Sequence, residues 1–288
     1  MMLRWLVANF IRQTAHRKIR EAVSDAAQQQ LGEKLGESGA GELPPCEIAF
    51  IFASGIESDG LVNLLDGRVT TRCASFVEHA GRLGDRSLVI AESGVGVKVA
   101  AKATEDVISM YQPSWIVSAG FAGALIEDVR RGCILMADDL VDSQDNHVSV
   151  GFKMDRGVIA ATPGLHVGRL LTVDHVVRSP DQRRELGKRY DAAACDMETI
   201  AVAEACRRQK VGFLSVRVIS DAVDDRLPPE LERLTRRKTV AGKLGVATGA
   251  LFKRPGSVKD CWRLREHALK ASDRLAKFLS GVVPQLTV

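Results

Sequence analysis

The stretch that decides the fold is ACDMETIAVAEACRRQKVGFLSVRVISDAVDD, from Ala194 to Asp225. Apolar residues recur with a helical period over residues 198–209, which predicts a helix. Residues 211–220 (VGFLSVRVIS) then form a mostly apolar run of strand length, which is followed by an acidic residue. A helix that leads directly into a buried strand is typical of an α/β fold, in which helices cover both faces of the sheet.

The same alternation of strands and helices extends outward from this stretch, as far back as residue 47. Helices are predicted at 97–111 and 180–190, and five further apolar runs are predicted as buried strands. These runs are EIAFIFAS (47–54), SLVIAES (87–93), WIVSAG (115–120), CILMADDLV (133–141) and RLLTVDHVV (169–177). The pattern predicts a three-layer α/β/α domain with a central mixed twisted sheet, whose functional loops lie at the strand ends.

Three segments of different composition divide the chain. Residues 1–45 are predicted to form a basic amphipathic helix, over residues 2–21, and a polar linker. Residues 46–234 are predicted to form the α/β domain. Residues 235–288, where no further strands are predicted, are expected to form a basic helical C-terminal extension.

Positive charge is concentrated at the two ends of the chain. Residues 1–21 carry five Lys and Arg against one Glu, and residues 233–288 carry thirteen against three acidic residues. Because the whole chain carries only +4, the residues between these ends carry −10. Basic amphipathic ends favour either peripheral contact with an anionic membrane surface or packing on the domain or on a second subunit. An organelle transit peptide is a third interpretation of the first end.

Composition excludes several classes of protein. With 45% hydrophobic and 26% charged residues among 288, the chain can bury a full core, and it is not disordered throughout. No apolar stretch reaches the roughly 20 residues that a membrane span requires. The six cysteines are scattered without metal-ligand spacing, so we predict reduced thiols and no metal. We expect a cytoplasmic protein, with peripheral contact at the inner membrane surface as an alternative.

Two glycine turns follow predicted strands. The first, Ser93-Gly94-Val95-Gly96, opens a helix and presents backbone amides where an anion or a polarised water can be held. The second is Gly120-Phe121-Ala122-Gly123. A plain structural turn explains each of them equally well. Because the dinucleotide fingerprint and the Walker phosphate loop are both absent, an oxidoreductase is disfavoured, and we predict no cofactor.

Acidic residues stand at two positions where side chains often contact ligands. Asp196 and Glu198 lie at the start of a predicted helix, and Ser220-Asp221 lies at the carboxyl end of a predicted strand. A purely structural interpretation is also open. Asp196 would cap the helix, and Glu198 would interact favourably with the helix dipole. For Asp221, the structural interpretation is an acidic side chain that is exposed to solvent at the end of a strand.

Four segments together identify a family resemblance. They are SGVGVKVAAKAT, PSWIVSAGFAG, CDMETIAVAEAC and VRVISDAVDD. In this order and spacing, over roughly residues 47–225, they resemble the nucleoside phosphorylase superfamily and are most similar to its 5′-methylthioadenosine/S-adenosylhomocysteine nucleosidase branch. The resemblance implies a nucleoside phosphorylase-like fold. It also implies a nucleosidase that hydrolyses the N-glycosidic bond of an adenosine-type nucleoside to release adenine.

The resemblance implies that Asp221 is the general acid, which donates a proton to N7 of the purine while Ser220 helps to hold it. Such an acid is needed because an anionic purine is a poor leaving group. By the same resemblance, Met197 packs against the ribose and Glu198 accepts hydrogen bonds from its hydroxyls. Val176 and Val177 fall where the family contacts the base through backbone groups, although many members carry an aromatic residue there.

For the nucleophile, the resemblance implies a water molecule. Ser93 of the first glycine turn and Arg217 are expected to hold it, with Glu57 or Asp59 as the base; we favour Glu57. Gly94 of the same turn is expected to bind the substrate. The phosphorolytic branches of the family carry an Arg two residues before the glycine of the second turn and a Ser or Thr just after it. Ser118 and Phe121 occupy these positions, so hydrolysis is favoured and Phe121 is expected to line the substrate site.

Alternatives to this assignment differ in substrate, nucleophile or class. The C-terminal region, LPPELERL followed by LFKRPGSVKDCWRLREHALKASDRL, is similar to the tail of hopanoid-associated members, which implies a lipid-linked adenosine such as adenosylhopane as substrate. A purine nucleoside phosphorylase and an inactive nucleoside-binding module remain as further alternatives. We expect a homo-oligomer, such as a homodimer. Nucleic acid is not expected as a partner, because the basic ends lack interleaved aromatic residues.

Overall fold

A computed structural model describes residues 46–151, 156–227 and 257–286. The predicted N-terminal amphipathic helix and linker, and the predicted domain boundary after residue 234, lie outside these residues. Those predictions therefore stay predictions.

Ten strands and six helices are present in the described part of the chain. The strands are β1 (Ile48–Phe52), β2 (Asp66–Arg72), β3 (Val77–Leu83), β4 (Arg86–Glu92), β5 (Trp115–Ala124), β6 (Ile134–Asp142), β7 (His147–Ser149), β8 (Leu165–Thr172), β9 (Ala194–Asp196) and β10 (Gly212–Asp221). The helices are α1 (Gly55–Val62), α2 (Val97–Tyr111), α3 (Arg156–Ala161), α4 (Pro180–Tyr190), α5 (Thr199–Gln209) and α6 (Ser257–Val282), and a 3₁₀ turn (Val283–Gln285) follows α6.

All strands belong to one mixed sheet, part of which closes into a ring. β1 lies between β4 and β5, parallel to both, and the antiparallel strands β3 and β2 extend the sheet beyond β4. β5 also pairs in parallel with β10, and the order β5-β10-β6-β8-β9 returns to β5. β5 thus belongs to both parts of the sheet: it pairs with β10 along most of its length, with β1 in its first half and with β9 at its end.

Alternate residues of β1 pack on opposite faces of the sheet, which produces the three layers. Ile48, Phe50 and Phe52 pack in one cluster with side chains of α1 and α6. Ala49 and Ile51 pack in a second cluster with α2 and α5. Because both faces of a parallel strand are covered by helices, every residue of β1 is apolar and buried. The predicted α/β fold with a mixed sheet is confirmed.

The sequence predictions of single elements differ from the structure in several places. The hairpin β2–β3 and helix α1 were not predicted, since β2 is almost entirely exposed and α1 is short and carries two glycines. The strand predicted at 169–177 was wrong in its second half. β8 ends at Thr172, and Ser179 caps α4 by accepting a hydrogen bond from Gln182 N, so the intervening residues form a loop.

The described half of α6 packs on the sheet. Leu275, Ala276 and Leu279 are buried in the same cluster as β1 and β10. This agrees with the predicted amphipathic helix at the C-terminus. Among the described residues, no helix combines the length and the apolar character that a membrane span needs.

Candidate active site

Arg217 lies at the centre of a buried polar cluster. It is on β10, beside Gly120 of β5, and only 4% exposed. Its Nη2 lies 2.9 Å from the carboxylate of Asp196 and donates to Ser118 Oγ at 2.7 Å. Its Nε donates to Thr199 Oγ1 at 3.1 Å. A guanidinium with this many partners is fixed in one orientation, so neighbouring groups can be arranged around it.

Asp196 connects the end of β9 to the start of α5. Its Oδ2 accepts a hydrogen bond from Thr199 N at 3.0 Å, and its Oδ1 accepts one from Thr172 Oγ1 at 2.9 Å. Capping by Asp196 was the structural interpretation of the sequence, and it is present. The helix starts at Thr199, so Glu198 occupies the preceding cap position instead of the predicted first turn.

Glu57 enters the cluster from the first turn of α1. Its Oε1 accepts a hydrogen bond from Phe121 N, and its Oε2 accepts one from Ser54 Oγ, both at 2.9 Å. Burial raises the pKa of Glu57, while the Phe121 amide and the charge of Arg217 oppose that rise. Only glycine fits at position 120, because a Cβ there would lie 2.7 Å from Arg217 Nη1 and 2.9 Å from Glu57 Oε1.

Glu198 is a second carboxylate in the same cluster. Its Oε1 accepts a hydrogen bond from Gly96 N, in the first glycine turn, at 2.7 Å. Burial, together with the negative charges of Asp196 and Glu57, raises the pKa of Glu198 to about 8. A carboxyl group with this pKa changes its protonation state near neutral pH, which is typical of groups that act in acid–base chemistry.

Ser93 and Gly94 lie at the end of β4, beside the end of β1. The Ser93 hydroxyl donates to the carbonyls of Phe52, at 3.2 Å, and Gly94, at 2.8 Å. Ser93 is buried. Its hydroxyl thus fixes the glycine turn against β1, and its oxygen retains lone pairs that can accept a further hydrogen bond.

Asp221 lies four residues beyond Arg217 on the same strand, opposite Gly123 of β5. The Ser220 hydroxyl donates to its Oδ1. Its Oδ2 forms an ion pair with Arg183, whose side chain is 1% exposed and which also donates to Ala222 O at 3.0 Å. Arg183 was not predicted as a site residue. It lies in a helix whose pattern is that of a polar surface helix, and nothing in the sequence indicates a buried cation there.

The residues predicted to contact the base and the ribose lie near Asp221. Val177 is buried, and its carbonyl accepts a hydrogen bond from Arg183 Nη2 at 3.0 Å, while Val176 is half-buried. The expected contact of the backbone groups at Val176 and Val177 with the base stays a prediction. Met197 is half-buried and packs against the cluster of apolar residues that contains Val177.

The structure therefore brings together Glu57, Phe121, Glu198 and Arg217. It places the side chain of Asp59 on the exposed face of α1. An open groove of about 880 Å³ lies elsewhere, beside β6 and β8, and contains none of the predicted site residues. Over residues 46–151, 156–227 and 257–286, no cluster of three or more His, Cys, Asp or Glu side chains could hold a metal ion.

These features define a class: a three-layer α/β protein in which buried carboxyl groups from several elements surround the guanidinium of Arg217. The sequence profile of the Phosphorylase superfamily matches residues 47–248. The chain belongs to that superfamily, so the predicted resemblance is confirmed.

Individual relatives agree with this membership. The 5′-methylthioadenosine/S-adenosylhomocysteine nucleosidase of Staphylococcus aureus (strain JH9) is 28% identical over 205 residues, which cover 62% of this chain and 90% of the relative. Because that match spans nine-tenths of a nucleosidase, the predicted class of enzyme, an N-glycosyl hydrolase, is confirmed.

Solved structures share the fold at lower identity. A mutant of the Helicobacter pylori 5′-methylthioadenosine nucleosidase with 5′-methylthioadenosine in its active site superimposes with a TM-score of 0.64 and 19% identity, over 84% of this chain and 100% of that one. A futalosine hydrolase mutant from H. pylori strain 26695 gives a TM-score of 0.60 and 20% identity, over 84% and 100% of the two chains. The fold is therefore shared by enzymes that are named for different nucleosides.

Proposed function

We propose that this chain hydrolyses the N-glycosidic bond of an adenosine-type nucleoside and releases adenine. The buried carboxylate of Glu57, held by Phe121 N and close to Arg217, is the observation that carries the proposal. A carboxylate in this setting can take a proton from a water molecule that attacks C1′ of the ribosyl group. The exposed side chain of Asp59 supports Glu57 as the base in preference to it.

Glu198 and Met197 are proposed to hold the ribose. In its ionised form the Glu198 carboxylate, which lies near Glu57, would favour the positive charge that develops on the sugar as the base departs. Its remaining oxygen can accept a hydrogen bond from a ribose hydroxyl. Ser93 is proposed to help hold the attacking water together with Arg217.

Asp221 is proposed as the general acid that protonates N7. Its hydrogen bond from Ser220 fixes the orientation of the carboxyl group. Its other carboxylate oxygen forms an ion pair with Arg183, which holds the side chain in place. In the proposed reaction, Asp221 delivers a proton to N7 of the bound purine as the bond to the sugar breaks.

Water is favoured over phosphate as the nucleophile by the charges around Arg217. Three carboxylates, those of Glu57, Asp196 and Glu198, surround this one guanidinium. A phosphate dianion would be repelled by each of these groups that is ionised, whereas a neutral water molecule would not. Ser118 also stands where a phosphate-binding Arg would be expected, and its hydroxyl accepts a hydrogen bond from Arg217.

Two candidate substrates differ in the group that is attached to the 5′ carbon of the ribose. A small thioether, as in 5′-methylthioadenosine or S-adenosylhomocysteine, is supported by the names of the S. aureus relatives. A lipid-linked adenosine such as adenosylhopane is supported by the basic ends of the chain, residues 1–21 and 233–288, which carry 18 Lys and Arg residues against four acidic ones. The shared fold does not decide between them, since it also occurs in a futalosine hydrolase.

A purine-release assay over a panel of adenosine derivatives tests the proposal. The panel contains both thioether substrates, a lipid-linked adenosine and a 2′-deoxyribosyl analogue, each with and without phosphate. We expect adenine and free ribosyl product at a rate that phosphate does not change, and poor turnover of the 2′-deoxy analogue because Glu198 loses a partner. Formation of ribosyl 1-phosphate would identify a phosphorylase, and tight binding without turnover would identify a binding module.

A further inference from the structure

We propose that the C-terminal helix α6 is part of the hydrolytic site, and that its Ser272 is a positioning residue for Glu57. The inference rests on the proposed role of Glu57 as the base. Ser272 is only 1% exposed, and its hydroxyl makes two hydrogen bonds to the backbone of α1. It donates to Glu57 O at 3.1 Å and accepts from Gly60 N at 2.9 Å.

The two helices touch through their backbones at this point. A Cβ on Gly60 would lie 2.6 Å from Ser272 O and 3.0 Å from Ala276 Cβ, so no larger residue fits without moving one helix. Such a close approach permits only one register of α1 against α6. Because the Ser272 hydroxyl contacts the backbone of Glu57 itself, that register sets where the Glu57 carboxylate lies.

Helix α1 depends on this support because it has little stability of its own. It contains only eight residues, and isolated helices of that length are marginal in water. The residue at its N-cap, Ser54, makes no capping hydrogen bond and donates to the Glu57 carboxylate instead. The apolar residues Leu61 and Val62 of α1 are buried in the same cluster as Leu275 and Leu279 of α6.

The same helix also reaches the loop that follows Asp221. His267 Nδ1 lies 3.0 Å from Arg131 Nη1, and Arg131 Nη2 donates to Asp225 Oδ2 at 2.5 Å. Asp225 in turn accepts a hydrogen bond from Ala222 N at 2.6 Å. Helix α6 is thus linked to both ends of the proposed chemistry, directly to the base and through two side chains to the residue after the acid.

Loosening α1 would change the surroundings of Glu57 in a measurable way. The charged groups that face Glu57 are Arg217 of β10 and Glu198 at the start of α5. These groups do not belong to α1, so a displaced α1 would move the Glu57 carboxylate relative to them and admit water. Since burial is what raises the pKa of Glu57, hydration would lower that pKa.

The test compares Ser272→Ala with Ser280→Ala in the full-length enzyme. For Ser272→Ala we expect kcat to fall by about ten- to a hundredfold with KM within about twofold, because the base is displaced while the substrate contacts remain. In a plot of kcat against pH, we also expect the acid limb to move to lower pH. Ser280→Ala removes a hydroxyl of the same helix that donates to Lys277 O, within α6, at 2.8 Å. It should leave kcat and the acid limb unchanged.

Two further variants make the result decisive. Gly60→Ala should reproduce the kinetic effect of Ser272→Ala from the opposite side of the contact. Glu57→Gln tests the proposed function itself: if it retains turnover, the assignment of the base is wrong and the inference falls with it. If Glu57→Gln is inactive but Ser272→Ala is folded with an unchanged kcat and acid limb, only the positioning role is overturned.

Discussion

Asp221 contributes both to the proposed chemistry and to the stability of the fold. We expect Asp221→Asn to abolish base release, because the amide cannot donate a carboxylic proton to N7. The same change leaves the buried Arg183 without its counter-charge, so the free energy of unfolding should fall by about 3 kcal/mol. Adenine release and urea denaturation would measure the two effects separately.

A nearby carboxylate provides the matched control for that prediction. Asp224 pairs with Arg184 on the surface, where its side chain is 73% exposed. Asp224→Asn removes the same charge, but an exposed ion pair contributes only about 0–1 kcal/mol. Its turnover and stability should stay close to those of the unchanged enzyme. Near-normal turnover of Asp221→Asn would refute the assignment of the acid.

Glu198 makes the stability of the free enzyme depend on pH. Burial raises its pKa from 4.5 to about 8, so between these values the unfolded chain releases a proton that the folded protein retains. The contribution of this group to stability is therefore lost as pH rises through that window. We expect the Tm of Glu198→Gln minus the Tm of the unchanged enzyme to become more positive as pH rises from 5 to 8.

An exposed glutamate checks that the effect comes from burial. Glu105 pairs with Arg208 on the surface, with 41% of its side chain exposed. The Tm difference for Glu105→Gln should stay nearly constant over the same pH range. A flat difference for Glu198→Gln as well would mean that Glu198 ionises in the folded protein as it does in a free peptide.

At the scale of elements, β5 supplies the space in which the site is assembled. A methyl group at position 120 would meet Arg217 and Glu57 at less than 3 Å, so we expect Gly120→Ala to lower kcat/KM by about a hundredfold or more. Gly168, in β8, would place a new Cβ 3.7 Å from Ala193 Cβ, an ordinary contact. Gly168→Ala should therefore stay near normal in a kinetic assay. Equal effects of the two changes would indicate general strand damage instead of a steric conflict in the site.

The elements differ in how far the sequence predicted them. Helices α2, α4 and α5 agree with the predicted ranges to within one residue. The apolar faces of α2 and α5 repeat with helical period, and α4, which is mostly polar, begins at the clear start signal Ser179-Pro180. Helix α1 was not predicted, because its stability comes from contacts with α6, more than 200 positions later in the chain. The strand β9, of three residues, was missed for a similar reason, since it exists only through pairing with β5 and β8.

The residues of the candidate site, too, were predicted only in part from the sequence. Glu57, Glu198 and Arg217 were predicted as site residues because they fall within motifs that resemble a family. Arg183 and Ser272 were not, since an Arg in a polar helix and a Ser in an amphipathic one give no sign that they are buried. Their burial follows from tertiary packing, which a local pattern does not contain.

At the scale of the whole molecule, the basic ends predict a membrane-dependent behaviour. Residues 1–21, which lie outside the described residues, carry five Lys and Arg against one Glu. We expect deletion of residues 1–21 to reduce pelleting with anionic liposomes at low salt, because each basic residue contributes about 1 kcal/mol near such a surface. Neutral liposomes and high salt are the controls. If the deletion has no effect on pelleting, peripheral membrane contact through this segment is excluded.

The closed ring of strands restricts how copies of this protein can associate. Within the described residues, β2 is the one long strand that pairs on a single side, and its exposed face carries Asp66, Arg68 and Arg72. Charged side chains on an edge strand oppose the docking of another backbone alongside it. A homo-oligomer would consequently be built through helices and loops, without a sheet that continues from one subunit into the next.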